Sequence, residues 1–306
     1  MISYYKKVNG EKIPSKIKDY NKRCWVHAVE PDENEINILV DKFNLEKENI
    51  IDGLDIFENP RFEDEGGNIY LYLSVPTTQV PDEATSSFLI VITKFDVVTI
   101  SKYHLEIFEN IQKGKVHFLT SNRSSLVLRL LSLVAKNYDI NTRKILREVR
   151  KDRNYISNLK NKDILDLVLQ EDILNDYLSS FAPLIDIYNK LLKNKSLRFP
   201  KDDQEFIEDL INDLKQTFYS CRAALKSISN MRDYYSTTLS INLNRVIRIL
   251  TIFTIFLTIP TIISSIYGMN ILLPAQNNSN IFAFLIILII SIWVLLFFIF
   301  KKIKII

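Results

Sequence analysis

The sequence is poor in cysteine, histidine and glycine, and one long stretch of it carries no charge at all. Cys24 and Cys221 are far apart and lack metal-like spacing, which excludes a disulfide framework and predicts reduced structural thiols. His27, His104 and His117 are equally dispersed, so a zinc site in the charged part of the chain has no support. No nucleophile triad, phosphate-binding glycine loop or carboxylate pair stands out, and the chain reads as a non-enzyme without an organic cofactor. A net charge of +3 is too small to indicate a nucleic-acid partner.

Between Ile249 and Phe300 there is no Asp, Glu, Lys, Arg or His. A bilayer core of ~30 Å is crossed by ~20 apolar residues in a helix, so this run holds two spans and a turn. Gly268, Asn270, Pro274 and the polar run 276–280 mark the turn. The spans are therefore placed at 246–267 and 281–300, with a loop at 268–280 and a basic tail at 301–306. Arg245 and Arg248 precede the first span, Lys301, Lys302 and Lys304 follow the second, and the loop is uncharged. That bias predicts a multi-pass protein of the cell (plasma or inner) membrane, with both termini cytoplasmic and the loop outside. Met1–Lys7 lacks the apolar core of a signal peptide, in keeping with this orientation.

Glycine divides the remainder. Five glycines fall at or before Gly114, and the next is Gly268. Residues 1–120 read as a cytoplasmic α/β domain, a small sheet with helices against it. Its expected strands are Cys24–Val29, Ile69–Val75 and a hairpin of Phe88–Thr93 with Val97–Ser101. Short helices are expected from Pro31 to Phe43 and from Leu45 to Leu54. Residues 121–200 read as a helical hairpin whose second arm carries Asp163, Asp166, Glu171, Asp172 and Asp176. A stalk helix follows at 201–245, with Asp202 and Glu205 spaced as a capping box and no proline before Pro260. Ile207, Ile211, Leu214, Phe218, Cys221, Leu225, Ile228, Arg232, Tyr235, Leu239, Asn242, Val246 and Ile249 recur at coiled-coil spacing along it. That face can pack on the chain's own helices or on identical helices of other copies.

Within the first span, the polar side chains share one face. Asn244, Thr251, Thr254, Thr258, Thr261 and Ser265 are separated by steps of seven, three, four, three and four. At ~100° per residue these steps form one narrow stripe. Ile247 and Leu250 lie on or beside it near the cytoplasmic end, while Ile252, Phe253, Ile255, Phe256, Ile259 and Ile262 make the other side apolar. A bland reading is that these hydroxyls bond back to the preceding turn or glue helices together. However, the second span carries only Ser291 as a hydroxyl partner, whereas copies of the first span around an axis would face one another. The stripe therefore predicts a homo-oligomeric pore lined by the first span. Pro260 cannot donate to the carbonyl of Phe256, which leaves two readings open: the free carbonyl adds a further polar group, or the proline is tolerated with local relaxation.

Tyr267-Gly268-Met269-Asn270 between two C-terminal spans resembles the CorA-type magnesium channels, as does Asn244-x-Val246 with Leu250-Thr251 upstream. The resemblance covers the whole chain and implies a homopentameric funnel: an α/β cytoplasmic domain, a long helical stalk and two C-terminal transmembrane helices. It implies an outer ring of Asn270 that meets the hydrated ion, shaped by Gly268 and Met269, and inner rings of Thr261 and Thr258. It places Ile247 and Leu250 at a hydrophobic gate and Asn244 at the inner mouth. It also implies regulatory metal on stalk acids, with Asp209 favoured among Glu205, Glu208, Asp209 and Asp213, and a basic collar of Lys301, Lys302 and Lys304. The implied cargo is Mg²⁺, with Co²⁺ and Ni²⁺ beside it. The chain departs from the family after Asn270, where no acidic or aromatic residue follows closely. Two alternatives stay open: a zinc transporter of the related ZntB-like branch, and a membrane-anchored scaffold whose spans only tether the stalk.

Overall fold

The computed structural model describes the chain apart from residues 8–10, 12, 78–82, 113–117, 155–160, 195–196, 198, 272, 275–279 and 303–306. His117, most of the loop's polar run and Lys304 thus lie outside the described residues. The chain divides into two compact units, Met1–Arg232 and Asp233–Ile306.

The first unit is built on a seven-stranded sheet: β1 (Ile2–Lys6), β2 (Ser15–Ile17), β3 (Trp25–Val29), β4 (Arg61–Glu65), β5 (Asn68–Pro76), β6 (Thr85–Ile92) and β7 (Val97–Ser101). Their order is β2-β1-β3-β7-β6-β5-β4, and every pairing is antiparallel except β3 with β7. Side-chain alternation serves two cores. Leu71, Leu73, Val75, Phe88 and Ile90 enter one, while Tyr70, Tyr72, Leu89 and Val91 enter the other. The second core is completed by α1 (Glu33–Phe43) and α2 (Lys47–Leu54), through Leu39, Phe43 and Ile50. Gly53 explains how closely α2 sits: a Cβ there would meet Leu89 side-chain carbons at 2.6 and 2.8 Å. Edge strand β4 is mostly charged, which blunts an open edge.

The first core is covered by α3 (Ile107–Gln112), α4 (Arg123–Asn154), α5 (Asn161–Lys193) and the start of α6 (Lys201–Tyr267). Ile207, Ile211, Leu214, Cys221 and Ile228 of the predicted stalk stripe are buried there, with Phe218 and Leu225 packed beside them. Self-packing thus accounts for the stripe up to Ile228. Arg232, a polar interruption in sequence, reaches Glu171 Oε2 on α5 at 2.7 Å. One local expectation fails: α6 already includes Lys201, and Gln204 N–H donates to the carbonyl of Pro200. Asp202 is therefore inside the first turn rather than at the cap. A capping box forms instead at α1, where Asp32 and Glu35 bond each other's backbone N–H groups.

The second unit holds the remainder of α6 and α7 (Ile281–Lys302). Both helices are long and apolar enough to cross a membrane.

Candidate pore face and its mouth

α6 continues through Pro260 and ends at Tyr267. Over its last part, Asn244, Ile247, Leu250, Thr251, Thr254, Thr258, Thr261 and Ser265 are all exposed. Ile252, Ile255, Phe256, Ile259, Pro260 and Ile263 are half-buried on the other side. The matching stripe on α7 is Leu285, Ile289, Ile292, Trp293, Leu296 and Phe300. Contacts of the Phe256 ring with Trp293 and Phe300, at centroid distances of 5.9 and 6.4 Å, join the two stripes. Of the expected apolar side, Phe253 and Ile262 stay mostly exposed, so α7 covers only part of it. The hydroxyl face is left open.

Four threonines of that face share one geometry. Thr251, Thr254, Thr258 and Thr261 donate their hydroxyl protons to the carbonyls of Ile247, Leu250, Thr254 and Leu257, at 2.9, 2.9, 2.7 and 2.8 Å. Such back-bonding is what the bland reading of a threonine-rich span anticipates. It also has a chemical consequence. A hydroxyl has one proton and two lone pairs, so each of these oxygens presents acceptor capacity outward and no donor. The face is suited to groups that bring their own protons, such as the water shell of a cation.

At the end of the helix the winding tightens. Gly268 N–H donates to Ser264 O at 2.9 Å, and Met269 N–H to Ile266 O at 3.3 Å. A Cβ on Gly268 would stand 3.1 Å from the Ser264 carbonyl oxygen. The glycine is thus favoured by close approach rather than by backbone angle, since its φ is not among the positive ones. Met269 and Asn270 follow, both exposed. The C-terminal end of a helix carries roughly half a negative charge. Because α6 ends beside Asn270, this helix end offers cations an attraction that uses no carboxylate.

The remaining candidates are more scattered. Glu205, Glu208, Asp209 and Asp213 are exposed on α6, and no group of three or more potential metal ligands forms among the described residues. Asp213 lines a cleft of about 220 Å³ together with Lys136, Asp139 and Arg143, so cationic side chains already neighbour it. Lys301 and Lys302 close α7 and are exposed. His27 is held neutral: burial lowers its pKa to about 3. The Thr99 hydroxyl donates to Val26 O and accepts from Trp25 Nε1, so His27 Nδ1 serves as its donor at 3.0 Å. Cys24 and Cys221 are buried free thiols, and burial pushes both up to about 11.

The carbonyl freed by Pro260 is not an open polar group, which rules against the first of its two readings. Trp293 Nε1 donates to Phe256 O at 3.0 Å. Phe256 lies two residues from Thr254 and Thr258, or ~200° around the helix, on the side that α7 occupies. Sequence reasoning passed over Trp293. The available signal was a donor-only side chain on the facing helix, at about the depth of an orphaned carbonyl.

Comparison with known proteins agrees with this architecture. A family model described as CorA-like Mg²⁺ transporter protein matches residues 20–302. The cobalt/magnesium transport protein CorA of Methanocaldococcus jannaschii is 25% identical over 291 residues, covering 91% of this chain and 90% of its own. The complete structure of the CorA magnesium transporter from that organism matches with a TM-score of 0.85 at 19% identity, covering 99% of this chain and 98% of that one. The ZntB cytoplasmic domain from Vibrio parahaemolyticus matches with a TM-score of 0.61 at 11% identity, over 78% of this chain and 97% of its own.

Proposed function

The chain belongs to the family of CorA-like Mg²⁺ transporter proteins, and from that premise we propose that it assembles as a homo-oligomeric channel admitting hydrated Mg²⁺. Co²⁺ and Ni²⁺ are the further cations it would carry. The observation that carries this reading is the open face of back-bonded threonines leading to Asn270. One copy contributes a single such face and cannot enclose an axis. Several copies can, and the family resemblance favours five.

Mg²⁺ sheds its water reluctantly. In this proposal Asn270 meets the ion outside with neutral carboxamide oxygens, which bond to the water shell without stripping it. Thr261, Thr258, Thr254 and Thr251 repeat that outer-sphere contact inward. Ser265 lies on the same face near the mouth. Ile247 and Leu250 form the constriction, whose apolar rim gates by dewetting, and Asn244 stands at the exit. Residues 1–120, 121–200 and 201–245 are cytoplasmic, residues 268–280 face outside, and 246–267 and 281–300 cross the bilayer. Lys301, Lys302 and Lys304 form the basic collar. Regulatory metal would bind between copies through Asp209, since no group of three potential ligands forms among the described residues of one chain. A membrane potential supplies ~2.3 kcal/mol per charge per 100 mV, roughly 4.6 for a divalent ion, so inward flow needs no ATP.

A second reading, proton-coupled zinc transport, is favoured by the ZntB-like fold of the cytoplasmic part and the uncharged loop. Vesicles containing the purified chain separate the two. Mg²⁺ entry driven by an imposed potential, competed by Co²⁺ and Ni²⁺ and indifferent to a pH gradient, is the expected result. Zn²⁺ entry that requires a pH gradient would transfer the function to the second reading.

A further inference from the structure

We propose that Trp293 is a positioning residue, whose indole N–H latches α7 onto the one turn of α6 that Pro260 leaves short of a donor. In a regular helix the amide of residue 260 would donate to Phe256 O. Proline has no N–H to give, and hydrocarbon offers no water to replace it. Trp293 Nε1 lies 3.0 Å from that oxygen. The indole is a donor with no acceptor role, so the two groups match without competition.

The setting favours the bond. Beside it is a cleft of about 390 Å³ lined by Ile249, Ile252, Phe253, Phe256, Leu257 and Trp293, and none of these side chains carries a competing acceptor. A single directed bond does what apolar packing between two Ile- and Phe-rich helices does poorly. Apolar faces can slide or rotate past one another at little cost, whereas one carbonyl and one N–H define both depth and angle. Because Phe256 is on the side away from Thr254 and Thr258, seating α7 there leaves the threonine face uncovered. The latch goes beyond the transport reading and holds whichever ion passes.

The test exploits the fact that proline created the vacancy. Trp293→Phe keeps an aromatic ring and deletes the donor. Pro260→Ala restores a backbone N–H that can take Phe256 O back into the helix. The full-length protein in detergent is heated, and the midpoint for loss of monodisperse protein is read by size-exclusion chromatography. Trp293→Phe is expected to lower the midpoint by roughly 2 °C, and adding Pro260→Ala is expected to recover at least half of that loss. Should Trp293→Phe fail to express, recovery of expression in the double variant is the equivalent expected result. An unchanged midpoint in Trp293→Phe overturns the latch, as does a double variant no better than the single one. Either failure means that Trp293 acts through bulk alone. The readout is heat resistance rather than flux, so its failure is distinct from failure of the transport reading.

Discussion

Asn270→Ala is expected to cut Mg²⁺ entry into protein-containing vesicles at least tenfold while leaving the protein folded and monodisperse. The side chain is exposed just beyond the end of α6, where it contributes little to packing. Its proposed partners are the waters around an approaching ion. A hydrogen bond of this kind is worth about 1 kcal/mol net, and a homo-oligomer repeats the loss in every copy. Losing two such bonds already approaches thirtyfold, so tenfold is a conservative expectation. Asn270→Asp adds a contrast: a ring of carboxylates should hold the ion harder, raising apparent affinity while lowering the maximal rate. Dye-reported influx over a range of external Mg²⁺ measures both. Equal flux in Asn270→Ala and the parent removes Asn270 as the entry element.

The combined change of Thr254, Thr258 and Thr261 to Val is expected to lower flux by a similar or larger factor. Valine keeps the branched shape and removes the oxygen. The cost to the helix is small, because Leu250, Thr254 and Leu257 carbonyls each lie a full turn before a residue that has its own N–H. What disappears is a run of outward acceptor oxygens, three per copy at successive turns. Ile252→Val and Ile255→Val serve as controls, since both residues lie on the half-buried side. Their flux should stay close to that of the parent. A triple variant that conducts normally would mean that the hydroxyls only complete the helix.

The elements most legible in sequence were those with strong local signals. The β6–β7 hairpin was readable because Phe88–Ile92 and Val97–Ser101 flank a short polar turn, and Thr93 N–H bonds Asp96 O there. The long helices were readable because no glycine interrupts them. β1, β2 and β4 were not, since Ser15–Ile17 and Arg61–Glu65 are short and polar and become strands only by pairing at the sheet edges with β1 and β5. The threonine face was legible because helical periodicity alone aligns it. The direction of its hydroxyl protons was not, and neither was the fate of the Phe256 carbonyl. That depends on which face of α7 turns toward α6: the matching depth of Trp293 was available in sequence, but the rotation that aims its N–H at Phe256 O was not. Arg232 interrupts the stalk stripe in sequence, and Glu171 of α5 opposite it supplies the partner that makes the interruption a contact.

The most direct measurement is cysteine accessibility along the first span. Cys24 and Cys221 are buried with thiols pushed up to about 11, so they should stay silent toward a membrane-impermeant cationic reagent. Single changes to cysteine at Thr254, Thr258 and Thr261 are compared with changes at Ile252, Ile255 and Ile259 in vesicles. A water-filled axis shared by several copies predicts rapid labelling, with block of Mg²⁺ entry, at the three threonine positions and none at the isoleucines. Threonine positions that stay unlabelled while the isoleucines react, or labelling that leaves ion entry untouched, would contradict it.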